Sequence, residues 1–383
     1  MNDALREVDN LIVGGGPAGA MAAIELARAG RDVTLLERER GSHHKVCGEF
    51  LSAEAVGYLA RAGISATELG AAPICFVRLS VGGKMVESAL PFPALSLSRF
   101  ALDEALLRAA AACGCNVVRG ALVERLESES AWKATVSGGR AVRARTAVLA
   151  TGKHDLRGWG RDAGRQGDLV GFKMHWRLAA AQTRELREWM DLFLFGGGYG
   201  GISLVEGEVA NLCFVAKRET LRRLGGFRQV LNSAIEQLPR LKARLTGAEP
   251  LWDRPLAISP IPYGRLGGAS EGLWRVGDQF AVIPSFTGDG MAIALHSGAL
   301  AAHAIARGEP AEAFGAGLHA QLRGGMNLAL WLSRAMVSAA GRALAVPALH
   351  LRPSAMQWIA ERTRVPGFAL LPEALITNCP QRA

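Results

Sequence analysis

Apolar residues recur along this chain with two periods, and the switches between them mark out its organisation. Val8 to Val13 is a short apolar strand interrupted by Asp9 and Asn10. Pro17 to Ala29 follows with helical spacing, Met21, Ile24 and Leu26 standing among small residues, and Gly30 is placed to end that helix. Asp32 to Leu36 reads as a second strand. Strand, glycine turn, helix and strand within about thirty residues call for a right-handed parallel crossover. The same rhythm returns as a helix over Phe100–Ala112 and strands near Asn116–Val118 and Ala147–Ala150. It returns again as a strand over Leu273–Val276 and a helix over Met291–Arg307.

The middle of the chain changes to strand patterning. Val170–Leu178, Leu192–Phe195, Ile202–Val205 and Glu208–Val215 read as strands separated by turn residues, and Phe76–Val86 as a pair turning at Gly82-Gly83. Beyond about residue 320 the chain is helical and alanine-rich. The expected fold is α/β. A discontinuous first domain (1–72, 96–155 and 266–320) carries an inserted, mostly antiparallel sheet (73–95 and 156–265) and a helical C-terminal region (321–383).

The turn after the first strand reads Gly14-Gly15-Gly16-Pro17-Ala18-Gly19. Gly14 permits a tight turn, Gly16 lets the backbone approach a pyrophosphate, and Gly19 lets the helix pack closely on the strands. The helix start then offers free N–H groups and a positive dipole to phosphates. Glu37, followed by Arg38, ends the second strand, where a carboxylate accepts hydrogen bonds from ribose hydroxyls. This pattern fits FAD or NAD(P) equally, and an ordinary βα turn less well.

Composition narrows the class. At 383 residues, 49% apolar and 21% charged, the chain is of globular type. Its net charge of +9 is scattered, with no basic run or interleaved aromatics, so a nucleic-acid partner is not expected. An anionic cofactor, an acyl-carrier protein or a membrane surface would be attracted instead. Six cysteines without a Cys-x-x-Cys pair give neither a metal centre nor a disulfide scaffold and suit a reducing cytoplasm. No signal peptide and no uncharged apolar run of about 18 residues is present, so no transmembrane helix is expected.

A second signature makes the pattern specific. Leu273-Trp274-Arg275-Val276-Gly277-Asp278 is followed by Pro284-Ser285-Phe286-Thr287-Gly288-Asp289-Gly290-Met291 and a helix. Ser98-Arg99-Phe100-Ala101-Leu102-Asp103, Ala150-Thr151-Gly152 and Lys45-Val46-Cys47-Gly48-Glu49-Phe50 complete the set. The chain resembles the glutathione-reductase-type flavoproteins of the p-hydroxybenzoate hydroxylase and geranylgeranyl reductase group over most of residues 8–310. The resemblance implies FAD as cofactor. It implies Arg99 on the phosphates, backbone near Val123 at the adenine, Gly152 packed near the cofactor and Asp278 on the ribityl chain. Gly288, Gly290 and Met291 would face the flavin, and Cys47 and Gly48 would pass beside its ring. Helix N–H groups at 288–291 would stabilise charge on a reduced flavin.

The chemistry is less defined. Cys47 is the candidate catalytic residue, or else a buried small hydrophobe. Glu49 reads as a solvated charge rather than a proton donor, and His43 and His44 as a polar loop. Tyr199, Phe193 and Phe214 are the candidate substrate contacts, within a group of apolar residues (with Phe172, Met174, Trp176 and Phe195) suited to a dry cavity. Lipid-reducing members carry Tyr-x-Trp-x-Phe-Pro. Here Tyr199 is followed by Gly200-Gly201-Ile202-Ser203-Leu204, which opposes isoprenoid reduction; no Trp-x-Trp-x-Ile-Pro segment is present, which opposes halogenation. The first expectation is a monooxygenase using flavin C4a-(hydro)peroxide chemistry on a hydrophobic aromatic or polyketide-like substrate, free or carrier-bound, with NADPH or NADH as electron donor. The second is an ene-reductase delivering hydride from flavin N5 to a C=C bond. The third is a redox-silent flavin-binding or electron-transfer protein.

Overall fold

The computed structural model describes residues 6–268 and 272–372. Cys379 and the first five residues lie outside that range.

Two sheets carry the molecule. In the first, parallel strands run in the order Asn116–Arg119, Val33–Glu37, Arg6–Val13, Ala141–Leu149. The last of these shares its far edge. Its first half pairs antiparallel with Trp132–Val136, which leads on to Val123–Ser128, and its end pairs parallel with Trp274–Arg275. The antiparallel pieces at 123–136 were not anticipated from the sequence. The helices Pro17–Arg28, Arg99–Ala112 and Gly290–Ala306 bury their apolar residues over this sheet in one core with Ile12, Leu35 and Val148. Pro17 sits in the first helical turn, where a missing N–H does no harm, and Ser98 caps its helix by accepting from the Ala101 amide at 3.2 Å.

The second sheet has nine strands. Its order is Glu249–Pro250, Leu169–Arg177, Ala210–Lys217, Gly198–Leu204, Glu188–Phe195, Ala72–Val81, Lys84–Ser96, Phe50–Leu51, with Leu256–Ile258 further along the same edge of Leu169–Arg177 as Glu249–Pro250. Every pairing is antiparallel except Glu188–Phe195 with Ala72–Val81. Phe50–Leu51, from the stretch assigned to the first domain, joins this second sheet.

The middle region is not all sheet. Helices Ala180–Leu186, Arg218–Leu224, Phe227–Gln237 and Pro239–Leu245 intervene, and the last two bury Val230, Leu231, Ala234 and Leu241 on one face of the second sheet. Strand alternation sends Phe172, Phe193, Phe195 and Phe214 to that same face. The C-terminal helices Ala311–Val337, Ala339–Leu351 and Ala355–Arg362 pack across both sheets. Among the described residues no helix is long and apolar enough to cross a membrane.

Candidate active site

One cavity of about 1300 Å³ runs from the first sheet, past the face of the second sheet opposite the phenyl cluster, to the C-terminal helices. Most residues singled out from the sequence line it. Gly14, Gly16, Glu37, Arg38 and Val123 stand with Arg99 and Gly152 in its first arm. Cys47, Gly48, Asp278, Gly288, Gly290 and Met291 also line it, and so does Tyr199. Gly19 does not. A Cβ there would lie 2.0 Å from the Gly14 carbonyl oxygen, so this glycine serves helix-to-strand contact.

The first arm suits a dinucleotide. Gly16 caps the helix Pro17–Arg28 without any side-chain hydrogen bond, leaving first-turn N–H groups without an intrahelical partner. The Arg99 guanidinium stands nearby, its Nη2 3.5 Å from where a Cβ on Gly16 would be. Its Nε and Nη2 donate to Asp103 at 2.6 and 2.8 Å. Burial opposes the Arg99 charge, but Asp103 raises its pKa further. Glu37 Oε2 accepts from the Gly15 amide at 2.7 Å and Oε1 from Glu39 at 3.0 Å, and each oxygen can accept a second bond. At the other end, Asp289 caps the helix Gly290–Ala306 without a side-chain bond to it, leaving that helix start also open. Two uncapped helix N-termini and a buried guanidinium on one cavity fit a ligand with a pyrophosphate and a second electron-rich end, which is the chemistry of FAD.

Asp289 is turned away from its helix. Its Oδ2 accepts from the Val365 amide at 3.0 Å and its Oδ1 from Arg364 at 3.2 Å, tying the C-terminal segment to the 288–291 turn. Burial outweighs Arg364 and lifts the carboxyl to about 7. A carboxyl raised in the fold stabilises at low pH and loses that contribution as pH climbs from its unfolded value of about 3.9 towards 7. The Asp289→Asn variant should therefore gain thermal stability relative to the parent as pH rises from about 4 to about 7. Parallel Tm-versus-pH curves for the two proteins would contradict this.

Lys153, which the sequence did not single out, donates to Asp278 at 2.9 Å. Burial works against its charge, yet Asp278 raises its pKa.

The largest departure from expectation is Glu49. It is fully buried rather than solvated. It holds a left-handed backbone (φ 60°) directly after Cys47-Gly48. Its Oε1 accepts from the Arg99 amide at 2.8 Å and from the Lys173 ammonium, and its Oε2 accepts from His175 Nε2 at 2.9 Å. Its carbonyl accepts from the Leu97 amide at 3.0 Å and Ser96 Oγ at 3.1 Å. Burial alone would raise its pKa, but His175 and Lys173 hold it below the ordinary value. Lys173 and His175 project from the strand Leu169–Arg177, so the second sheet reaches through Glu49 to the Cys47-Gly48 segment. Asn211, on the next strand, donates to the Cys47 carbonyl at 3.2 Å. Polar residues two apart in an otherwise apolar buried strand were the available signal, since such a face needs a partner of opposite charge.

His44 is not a free loop residue either. Its ring stands 4.7 Å from Trp252, 4.9 Å from His175 and 5.1 Å from Phe100, and burial beside Lys173 and His175 lowers its pKa to about 4. His44, Glu49 and His175 are close enough to share a cation. The Lys173 ammonium already neutralises Glu49.

Two candidate substrate contacts are corrected. Phe193 and Phe214 face away from the cavity into the phenyl cluster, as do Phe172 and Phe195; Met174 and Trp176 share their strand parity. Gly200 makes room for them, since a Cβ there would lie 2.4 Å from Phe214 Cβ and 2.6 Å from Phe193 Cζ. The cavity face instead carries Leu192, Leu194, Cys213 and Val215, with Tyr199 and Tyr263.

The class follows from this architecture: a parallel dinucleotide sheet, two open helix starts on one cavity and a second sheet roofing its far arm. The chain is an FAD-dependent oxidoreductase, an enzyme similar to the flavoproteins of the p-hydroxybenzoate hydroxylase and geranylgeranyl reductase group. The FAD binding domain family matches residues 7–154. The chain is similar to a menaquinone reductase of Mycobacterium tuberculosis, 28% identical over 78% of this chain and 76% of the relative. It is similar to digeranylgeranylglycerophospholipid reductase 2 of Methanopyrus kandleri, 29% identical over 78% and 77%. In structure it resembles a probable FAD-dependent monooxygenase of Pseudomonas aeruginosa, with a TM-score of 0.71, 19% identity and coverage of 90% and 100%.

Proposed function

We propose that this enzyme reduces carbon–carbon double bonds in a long, apolar, isoprenoid-type substrate. The observation carrying this reading is the far arm of the cavity. One wall is the sheet face with Leu79, Leu192, Leu194 and Val215; the other is the C-terminal helices with Leu332, Met336, Leu349 and Ile359. Two aliphatic walls along an extended channel suit a flexible hydrocarbon chain better than a compact polar ring. The menaquinone reductase and the digeranylgeranylglycerophospholipid reductase to which the chain is similar are both reductases by name, which supports reduction as the chemistry. Gly201, at the position where lipid-reducing members of the resembled group carry a tryptophan, lines the cavity and leaves its floor open on the side of Met190 and Leu192.

Bound FAD would supply the hydride, with NADPH or NADH as the proposed electron source. The protein's own part is to exclude water and deliver the proton for the second carbon. Tyr199 and Tyr263 line the cavity, and burial raises both phenols, so they stay protonated at neutral pH. Tyr199 Oη lies 3.3 Å from Ser333 Oγ, which itself donates to Gln166 at 2.8 Å, a chain that orients the phenol. The Cys213 thiol is pushed up to about 12 by burial and is likewise neutral. Cys47 is read here as a wall of the site, its Sγ accepting from the Glu49 amide at 3.4 Å.

The test is anaerobic turnover. With reduced cofactor and a polyprenyl quinone or polyprenyl lipid, product should gain two hydrogens per reduced bond. Tyr199→Phe should lower turnover by about 10²-fold with flavin content unchanged. Oxygen consumption coupled to substrate, with oxygen incorporated into product, would overturn the proposal in favour of a monooxygenase.

A further inference from the structure

Among the described residues, the helix Ala339–Leu351 leaves one face uncovered. Ala340, Ala343, Leu344, Pro347, Ala348 and Leu351 follow helical spacing and are all exposed, Leu344 by 64% and Leu351 by 84%. The exposed His350 borders that stripe beside Ala343 and Pro347. The opposite face buries Val346 and Leu349 and packs on the helix Ala311–Val337 and the strands Ala72–Val81 and Lys84–Ser96.

This stripe borders the cavity mouth. Leu344 and Ala348 are exposed and also line the cavity, together with Arg352 and Trp331, itself 66% exposed. The surrounding chain is basic. From 331 to 372 it contains Arg334, Arg342, Arg352 and Arg362 against a single carboxylate, Glu361, while Arg364 is taken up by Asp289.

We propose that this face docks on an anionic lipid bilayer and turns the cavity mouth towards the hydrocarbon. An exposed apolar helix face with a tryptophan and flanking arginines matches the interfacial zone of a membrane, where aromatic rings settle and arginines reach phosphate. A protein seated on the same face would close the mouth, whereas a bilayer keeps it in contact with apolar solutes. The inference stands on surface residues and does not need the reductase reading.

The experiment uses the FAD-loaded protein with vesicles of phosphatidylcholine, with and without phosphatidylglycerol. Co-sedimentation should require phosphatidylglycerol and weaken as salt is raised. The Ala343→Glu, Leu351→Glu double variant changes two exposed positions outside the cavity wall. It should bind vesicles about tenfold more weakly, with Tm, flavin content and turnover of detergent-dissolved substrate unchanged. Equal vesicle binding by parent and variant would overturn the proposal. So would absence of vesicle binding together with a dimer that the double variant dissolves, which would assign the face to a second copy. Because vesicle binding is read without turnover, a failed reductase assay leaves this test intact, and the reverse also holds.

Discussion

Glu49→Ala should be the most damaging single side-chain truncation in the active site. It leaves the Lys173 ammonium fully buried without its carboxylate, a change that costs about 3–5 kcal/mol. It also frees the Arg99 amide and His175 Nε2 and releases the Cys47-Gly48 segment from the second sheet. We expect a large fall in Tm and loss of bound flavin on purification. Lys173→Met in the Glu49→Ala background should recover much of the lost stability, since the stranded charge is gone, and the two effects should be far from additive. Glu49→Gln keeps the size and one acceptor, and should fall between parent and Ala. The pH dependence has a definite sign. Glu49 is held below its ordinary value of about 4.3, so its stabilisation is complete above that pH and is lost as pH falls through the lower folded value. The parent and Glu49→Gln should therefore converge in strongly acidic solution and differ by a constant amount from pH 5 upwards. A Glu49→Ala protein that keeps its flavin and lies within about 1 kcal/mol of the parent would refute this account.

What could be read from the sequence was what is local in the chain. Gly14 to Gly19 and Pro284 to Met291 are short runs whose backbone demands are written in consecutive residues, and both come to one cavity. The Glu49 site was not legible in the same way. Its carboxylate comes from a loop and its partners from a strand more than a hundred positions later, so the pairing exists only after the two sheets are assembled. The phenylalanines failed for another reason. Their apolarity says that they are buried but not on which side of a strand, and the side was decided by helices in the 218–245 stretch, which the assignment of 156–265 to a sheet passed over. Parity held the answer: Lys173 and Gly171 share one face of the strand Leu169–Arg177, so Phe172 has to take the other.

Two glycines separate the scaffold from the cofactor site, and substituting each should fail in a different way. At Gly19 an added Cβ would meet the Gly14 carbonyl oxygen at 2.0 Å, Ala150 Cβ at 3.0 Å and Ile12 Cγ2 at 3.1 Å. The first contact is with backbone, so no rotamer relieves it. The helix Pro17–Arg28 must lift off the sheet, carrying away the N–H groups that close the first arm of the cavity. Gly19→Ala should destabilise the protein by more than about 3 kcal/mol, beyond ordinary overpacking, and yield protein without FAD or no folded protein at all. At Gly48 an added Cβ meets nothing within 4 Å, although the residue lines the cavity beside Cys47. Gly48→Ala should leave the Tm of the cofactor-free protein unchanged. If the flavin ring approaches this backbone, the methyl group intrudes only when FAD is bound. Affinity for FAD should then fall at least tenfold, equivalent to about 1.4 kcal/mol. Titration of the two apoproteins with FAD, beside melting curves without it, checks both outcomes. A Gly48→Ala protein that binds FAD as tightly as the parent would move the flavin away from this segment, and a Gly19→Ala protein with parental Tm would show that the helix can shift without loss.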